Sequence, residues 1–231
     1  MPDRLTLLFD ADDTLWENNV HFERAIEAWL DVVVNGTWTR EAARDELDRI
    51  EEANFATGGV GTTPFGVHLR LAAQRIVPST GLAAALPRIE AIVDAMPRGS
   101  VTLLPGVAAT LDELATRHTL GLVTRGDPAE QWAKIDASGL RDRFGRIAVV
   151  EHKVPETYRE LAARWDLDPA ATVMIGNSPR SDIAPARAAG FGAVLVSHAA
   201  TWRLELAELD PDDDRVAHID NFERLLDLFQ A

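Results

Sequence analysis

Four short stretches of the sequence hold side chains able to act on a charged substrate. In Asp10-Ala11-Asp12-Asp13-Thr14 the two outer carboxylates, Asp10 and Asp12, can face one crevice from a single tight loop. Such a pair suits acid–base or nucleophilic work, although Asp near the start of a segment also caps helices. Thr124, followed by Arg125 and Gly126, offers a hydroxyl and exposed backbone amides, which can hold phosphate oxygens or simply make a turn. Lys153, in Glu151-His152-Lys153-Val154-Pro155, could neutralise a phosphate or a carboxylate, or stand in solvent. Gly176-Asn177-Ser178-Pro179-Arg180-Ser181-Asp182 supplies two oxygen-bearing side chains, Asn177 and Asp182, suited to a hard cation such as magnesium. Its ordinary reading is a loop leading to a helix capped by Ser181.

These residues need a scaffold, and the apolar pattern outlines one. Leu5–Phe9, Leu120–Val123, Ile147–Val150, Thr172–Ile175 and Ala193–Val196 read as short strands buried on both faces. Helical patterns at Val107–Arg117, Pro128–Ser138, Pro155–Trp165 and Ser181–Ala189 alternate with them, with Gly139 and Gly190 after two of the ends. Strand–helix alternation implies a parallel, doubly wound sheet, an α/β architecture of Rossmann-like type. Each reactive stretch follows a strand, and the carboxyl edge is where open parallel sheets place their sites. The alternation breaks between about Trp16 and Gly99. Helical patterns at Phe22–Val34, Arg40–Phe55, Phe65–Ile76 and Leu82–Met96 run there without a strand between them, interrupted by the glycine-rich joint Thr57–Pro64. The expectation is an α/β core over 1–15 and 100–231 and an inserted helical domain over 16–99.

Composition removes several classes of function. A formal net charge of -14 repels a polynucleotide backbone, so nucleic-acid polymers are poor partners. The absence of cysteine excludes disulfides, thiolate nucleophiles and cysteine-bound zinc. No apolar run approaches the roughly 20 residues that span a bilayer, and the first residues hold no signal-peptide core, so a cytoplasmic location is expected without a membrane partner. The acidic run Asp210-Pro211-Asp212-Asp213-Asp214 lacks the spacing and glycine of a calcium loop and reads as a solvated turn.

The order and spacing of Asp10/Asp12 in a D-x-D-x-T loop, Thr124, Lys153 and Gly176-Asn177-Ser178…Asp182 resemble the four signatures of the haloacid dehalogenase superfamily. The resemblance runs from Leu5 to about Val196 and implies that the inserted helices are a cap placed after the first signature. It further implies a magnesium-dependent phosphatase acting on a small phosphorylated metabolite through an aspartyl-phosphate. Asp10 would be the nucleophile and Asp12 the acid and base, with Thr124, Arg125 and Lys153 holding the phosphoryl group. Magnesium would be held by Asp10, Asp12 through its carbonyl, Asn177 and Asp182. Many relatives carry Asp where this chain has Asn177, so one ligand here would be neutral. Cap residues Asn54, Thr63 and Phe65 are candidates for substrate contact, with Phe55, Thr62 and His68 nearby and His198 and Trp202 following the last core strand. Within the superfamily the alternatives are a 2-haloacid dehalogenase, whose halide leaves without a proton, and a phosphosugar mutase. Outside the enzymes stands a phosphoryl-binding module without turnover. A monomer or homodimer is expected.

Overall fold

The computed structural model describes residues 4–55, 59–97, 99 and 101–229. Two compact units divide the chain: Met1–Asn19 with Gly99–Ala231, and Val20–Arg98. Among the described residues the first unit holds a six-stranded sheet, its strands all paired in parallel, in the order β3-β2-β1-β4-β5-β6. The strands are β1(Thr6–Phe9), β2(Thr119–Arg125), β3(Arg146–Val150), β4(Thr172–Gly176), β5(Gly192–Val196) and β6(Val216–Ile219). The chain moves outward from β1 through β2 to β3, then returns to add β4 on the other side of β1. That reversal is the place where parallel sheets open a crevice.

Side chains alternate across the central strand, as a pleated strand requires. Leu7 and Phe9 are fully buried on one face with Val107, Leu111, Leu114 and Ile135. Leu8 is fully buried on the other face with Tyr158, Leu161, Ala186 and Phe191. The helices behind these contacts are α5(Val107–Ala115), α6(Pro128–Ser138), α7(Pro155–Trp165), α8(Ala184–Ala188) and α9(Leu225–Leu228), numbered after four in the other unit. Asp127 starts α6 by accepting the Glu130 N–H, Pro128 occupies its first turn, and Gly139 ends it at φ 67°. In register, Phe9 faces Leu122 of β2 and Ile175 of β4, so the residues just past these three positions emerge together at one sheet edge.

Two elements differ from the sequence-based expectation. β6 is an additional edge strand of only four residues, Val-Ala-His-Ile. The expected helix Ser181–Ala189 instead begins as one turn of π-helix, Pro179–Ile183, followed by α8. Pro185 has no N–H to offer the carbonyl of Ser181, so an α-helix cannot run through this point with its bonds complete. The Ser181 carbonyl accepts the Tyr158 hydroxyl instead, at 3.0 Å.

The Val20–Arg98 unit consists, among its described residues, of helices without strand: α1(Asn19–Val33), α2(Arg40–Asn54), α3(Thr62–Ile76) and α4(Ser79–Asp94). Its core is built on Trp29, Leu47, Leu69, Ala72 and Ile89, all fully buried. The Trp29 ring N–H donates to the Leu69 carbonyl at 3.1 Å, which satisfies the one polar atom that ring buries. Thr57 and Gly58 of the glycine-rich joint lie outside the described residues.

Candidate active site

Asp10 follows the last residue of β1 and is 6% exposed; its N–H is fixed to the Ile175 carbonyl of β4 at 2.8 Å. One carboxylate oxygen pairs with Lys153 Nζ, and the other accepts from Thr14 Oγ1 at 3.0 Å. Lys153 Nζ also reaches Asp182 Oδ1 at 2.7 Å, so a single ammonium lies between two buried carboxylates. Burial raises the proton affinity of Asp10, and Lys153 opposes the effect in part. Asp182 is raised as well, first by burial and then by the Asp10 charge. Burial works against the Lys153 cation, yet the two carboxylates outweigh it and push its pKa up.

The loop after β4 is shaped around Asp182. A Cβ on Gly176 would stand 2.2 Å from Asp182 Oδ2, so no larger residue fits beneath that carboxylate. Asp182 Oδ2 accepts the Ser178 N–H at 3.0 Å. Asn177 uses both ends of its amide: Oδ1 lies 3.2 Å from Thr14 Oγ1, and Nδ2 donates to Thr201 Oγ1 at 3.1 Å. Thr14 thereby brings an Asp10 oxygen and the Asn177 oxygen to one hydroxyl. The donor set fits a hard cation on this ground: Asp10 and Asp182 against Lys153 leave one uncompensated negative charge in a buried, oxygen-rich pocket.

Asp12 points into a different set of partners. Its Oδ1 accepts the Trp16 ring N–H at 2.7 Å, its Oδ2 accepts Gln131 Nε2 at 3.1 Å, and Lys134 Nζ lies 3.0 Å from Oδ2. Thr124 is 1% exposed, and its hydroxyl donates to Gln131 Oε1 at 3.0 Å. Gln131 therefore ties the hydroxyl of β2 to the second carboxylate of the first loop. Arg125 faces Glu205, with Nη2 3.1 Å from Oε1, while Oε2 accepts from the hydroxyls of both Ser178 and Ser181. The guanidinium is thus engaged from behind the β4 loop.

These bonds form two sets: Asp10, Lys153, Asn177 and Asp182 in one, with Arg125 attached through Glu205 and Ser178, and Asp12 and Thr124 joined through Gln131 in the other. The loop after β1 carries a member of each, Asp10 and Asp12. Asn54, Thr63 and Phe65 belong to the helical unit. Asn54 Nδ2 donates to the Ile50 carbonyl at 2.7 Å, and Thr63 is exposed in the first turn of α3. Phe65 needs correction as a substrate platform: it is 5% exposed and packs edge-on against Phe22 at 5.0 Å, so it is a core ring of its unit. His68 is likewise buried, and burial lowers its pKa.

Thr14, Gln131, Lys134 and Glu205 were not assigned as site residues from sequence. The spacing of Gln131 and Lys134 by three on a helix, which puts both on one face, is the signal that could have drawn attention to them; Glu205 carries no such signal. A second cluster, Asp13, Glu17 and His198, holds potential ligand atoms within 4.8 Å of one another. Asp13 already accepts the N–H groups of Asn18 and Asn19 where α1 begins, and burial pushes its pKa to about 7. An imidazole is also a less apt partner for magnesium than the all-oxygen set at Asp10.

Comparison with known proteins comes to the same architecture. A model of haloacid dehalogenase-like hydrolases matches residues 5–190. A glyceraldehyde 3-phosphate phosphatase of Methanopyrus kandleri is 26% identical over 96% of this chain and 95% of its own. A phosphoserine phosphatase of Thermus thermophilus is 30% identical over 48% of this chain and 46% of its own. Among solved structures, a haloacid dehalogenase-like family hydrolase from Xanthomonas campestris superposes with a TM-score of 0.84 at 27% identity, covering 99% of this chain and 95% of that one. A 2-haloacid dehalogenase from Pseudomonas syringae gives 0.62 at 24% identity, covering 98% of both chains, a likeness of fold.

Proposed function

The chain belongs to the haloacid dehalogenase-like hydrolases, and from that premise we propose that it is a magnesium-dependent phosphatase acting on a small phosphorylated metabolite. The observation that carries this reading is Asp12, a second carboxylate on the nucleophile's own loop, held by Trp16, Gln131 and Lys134 rather than left to solvent. A departing alkoxide needs a proton, whereas halide does not, so a maintained second acid supports phosphate-ester chemistry. The phosphatase names of the relatives support it too, and they make glyceraldehyde 3-phosphate the first metabolite to assay. In this reading the helical unit serves as the cap that selects substrate.

The chemistry divides into two displacements. A carboxylate oxygen of Asp10 attacks phosphorus, the ester P–O bond breaks, and the leaving oxygen takes its electron pair and the Asp12 proton. Water then attacks the phosphorylated Asp10, gives a proton to the Asp12 carboxylate, and releases phosphate as the acyl P–O bond breaks. The sum is ester plus water to alcohol plus phosphate. Thr124 and Lys153 orient the transferring group, and Lys153 offsets its charge. Asp10, Asn177, Asp182 and the Asp12 carbonyl would hold magnesium, which supplies further positive charge against phosphate.

Purified protein should release nitrophenolate from p-nitrophenyl phosphate when magnesium is present, stop on chelation, and lose all turnover in Asp10→Asn. Halide release from 2-chloropropionate in metal-free buffer, with no phosphate release from any ester, would overturn the reading in favour of a dehalogenase.

A further inference from the structure

The carboxylate of Asp12 is gripped from one helix. Gln131 and Lys134 sit three residues apart on α6, so their side chains leave the same face. Gln131 is 2% exposed and Lys134 7%, an unusual depth for a long cation whose stem normally lies along the surface. Lys134 Nζ lies 3.2 and 3.0 Å from the two oxygens of Asp12 and 2.8 Å from Asn18 Oδ1, with Glu130 Oε1 at 3.5 Å. Gln131 donates to Asp12 Oδ2 and accepts from Thr124. Space for Gln131 is made at Gly126, where a Cβ would fall 2.8 Å from Gln131 Nε2 and where φ is 152°. The Trp16 ring N–H, four residues along from Asp12, closes the remaining side.

We infer that Gln131 and Lys134 are positioning residues that hold Asp12 where it accepts the proton of the water attacking phosphorylated Asp10. The inference rests on the phosphatase reading above. A core-filling role alone does not account for the pattern. A buried lysine that only filled space would be better replaced by an apolar residue, because the charge must be desolvated to lie there. Both polar groups instead end on the two oxygens of one carboxylate, and Gln131 extends the grip to the hydroxyl of Thr124.

The test exploits the leaving group of p-nitrophenyl phosphate, which departs without a proton and so leaves Asp12 needed only in the water step. Lys134→Met keeps length and removes the charge. It should lower kcat and KM together, by about tenfold or more, with kcat/KM held, since kcat/KM ends at the first displacement. A burst approaching one nitrophenolate per enzyme should precede the slowed steady state. Gln131→Leu should show the same pattern more weakly, and Lys134→Arg should recover part of kcat. Should Lys134→Met fail to fold by its thermal melt, Gln131→Leu decides, because it leaves the buried Lys134–Asp12 ion pair in place.

A fall in kcat/KM equal to the fall in kcat, without a burst, would make the two residues merely structural and overturn the inference. So would unchanged kcat. If wild type turns over and Asp12→Asn shows the burst while the α6 variants do not, the positioning role alone is lost. If wild type releases no nitrophenolate at all, the phosphatase reading fails and takes this inference with it.

Discussion

Asn177 shows why a neutral side chain can stand where relatives often carry a charge. Its oxygen faces the Thr14 hydroxyl beside Asp10, and its nitrogen donates to Thr201 Oγ1 at 3.1 Å. That hydroxyl already donates its own proton to the His198 carbonyl at 3.0 Å. A carboxylate at 177 would turn acceptor against acceptor, while adding negative charge where two carboxylates share one ammonium. Asn177→Asp should therefore destabilise the metal-free protein by about 1–3 kcal/mol. It should also lower the magnesium concentration for half-maximal rate, because the added charge attracts the cation at close range. Urea unfolding in chelator and a magnesium titration of nitrophenolate release check the two parts; an unchanged midpoint in both would place the cation elsewhere. That residues 10, 12, 124, 153, 177 and 182 could share one site was legible from their positions after strands. The partners of Asp12 were not, since Gln131 and Lys134 acquire meaning only when α6 is laid beside the first loop.

At the level of elements, five of the six strands were legible as continuous apolar runs: β1, β2, β4 and β5 lie inside the sheet and are largely buried, the condition that leaves the plainest mark on a sequence, and the edge strand β3 keeps the run Ile147-Ala148-Val149-Val150 although only Ala148 is buried. β6 escaped because its apolar run is short and broken: His218 interrupts Val216, Ala217 and Ile219, and only Ile219 is buried. The π turn after β4 escaped for another reason. Pro185, which leaves the Ser181 carbonyl without its α-helical donor, is visible in the sequence, but the tyrosine hydroxyl that takes that carbonyl is distant in the chain. The turn sets Asp182 directly against Gly176, a contact that leaves no room for a methyl group. Gly176→Ala should displace Asp182 from Lys153 and lower stability by about 3 kcal/mol or more, since it strands part of a buried ion pair. An unfolding midpoint equal to that of wild type would show that the loop relaxes without loss of this contact.

Across the whole molecule, the uncompensated charge of the Asp10, Asp182 and Lys153 cluster links cation binding to stability. Any ion that binds only the folded chain stabilises it, by about 2.7 kcal/mol at a hundredfold excess over Kd. Magnesium should thus raise the melting temperature of wild type, and Asp182→Asn should reduce that rise whatever its effect on turnover; an equal rise in both proteins would remove Asp182 from the cation site. No described helix is long and apolar enough to cross a membrane. Leu15, Trp16 and Glu17 lie alongside Thr102, Leu103 and Leu104, with Leu104 N–H on the Leu15 carbonyl at 3.0 Å and Glu17 N–H on the Thr102 carbonyl at 2.9 Å. The chain thus leaves the α/β unit and re-enters it at one spot, although Leu5 and His118, which must meet at the start of β1 and β2, stand 113 residues apart. When the helical segment folds first and its two ends are brought together, the span that β1 and β2 must close shrinks to roughly a quarter. The search entropy of pairing the central strands then falls by about 1 kcal/mol, so a long insertion adds little delay to assembly of the sheet around it.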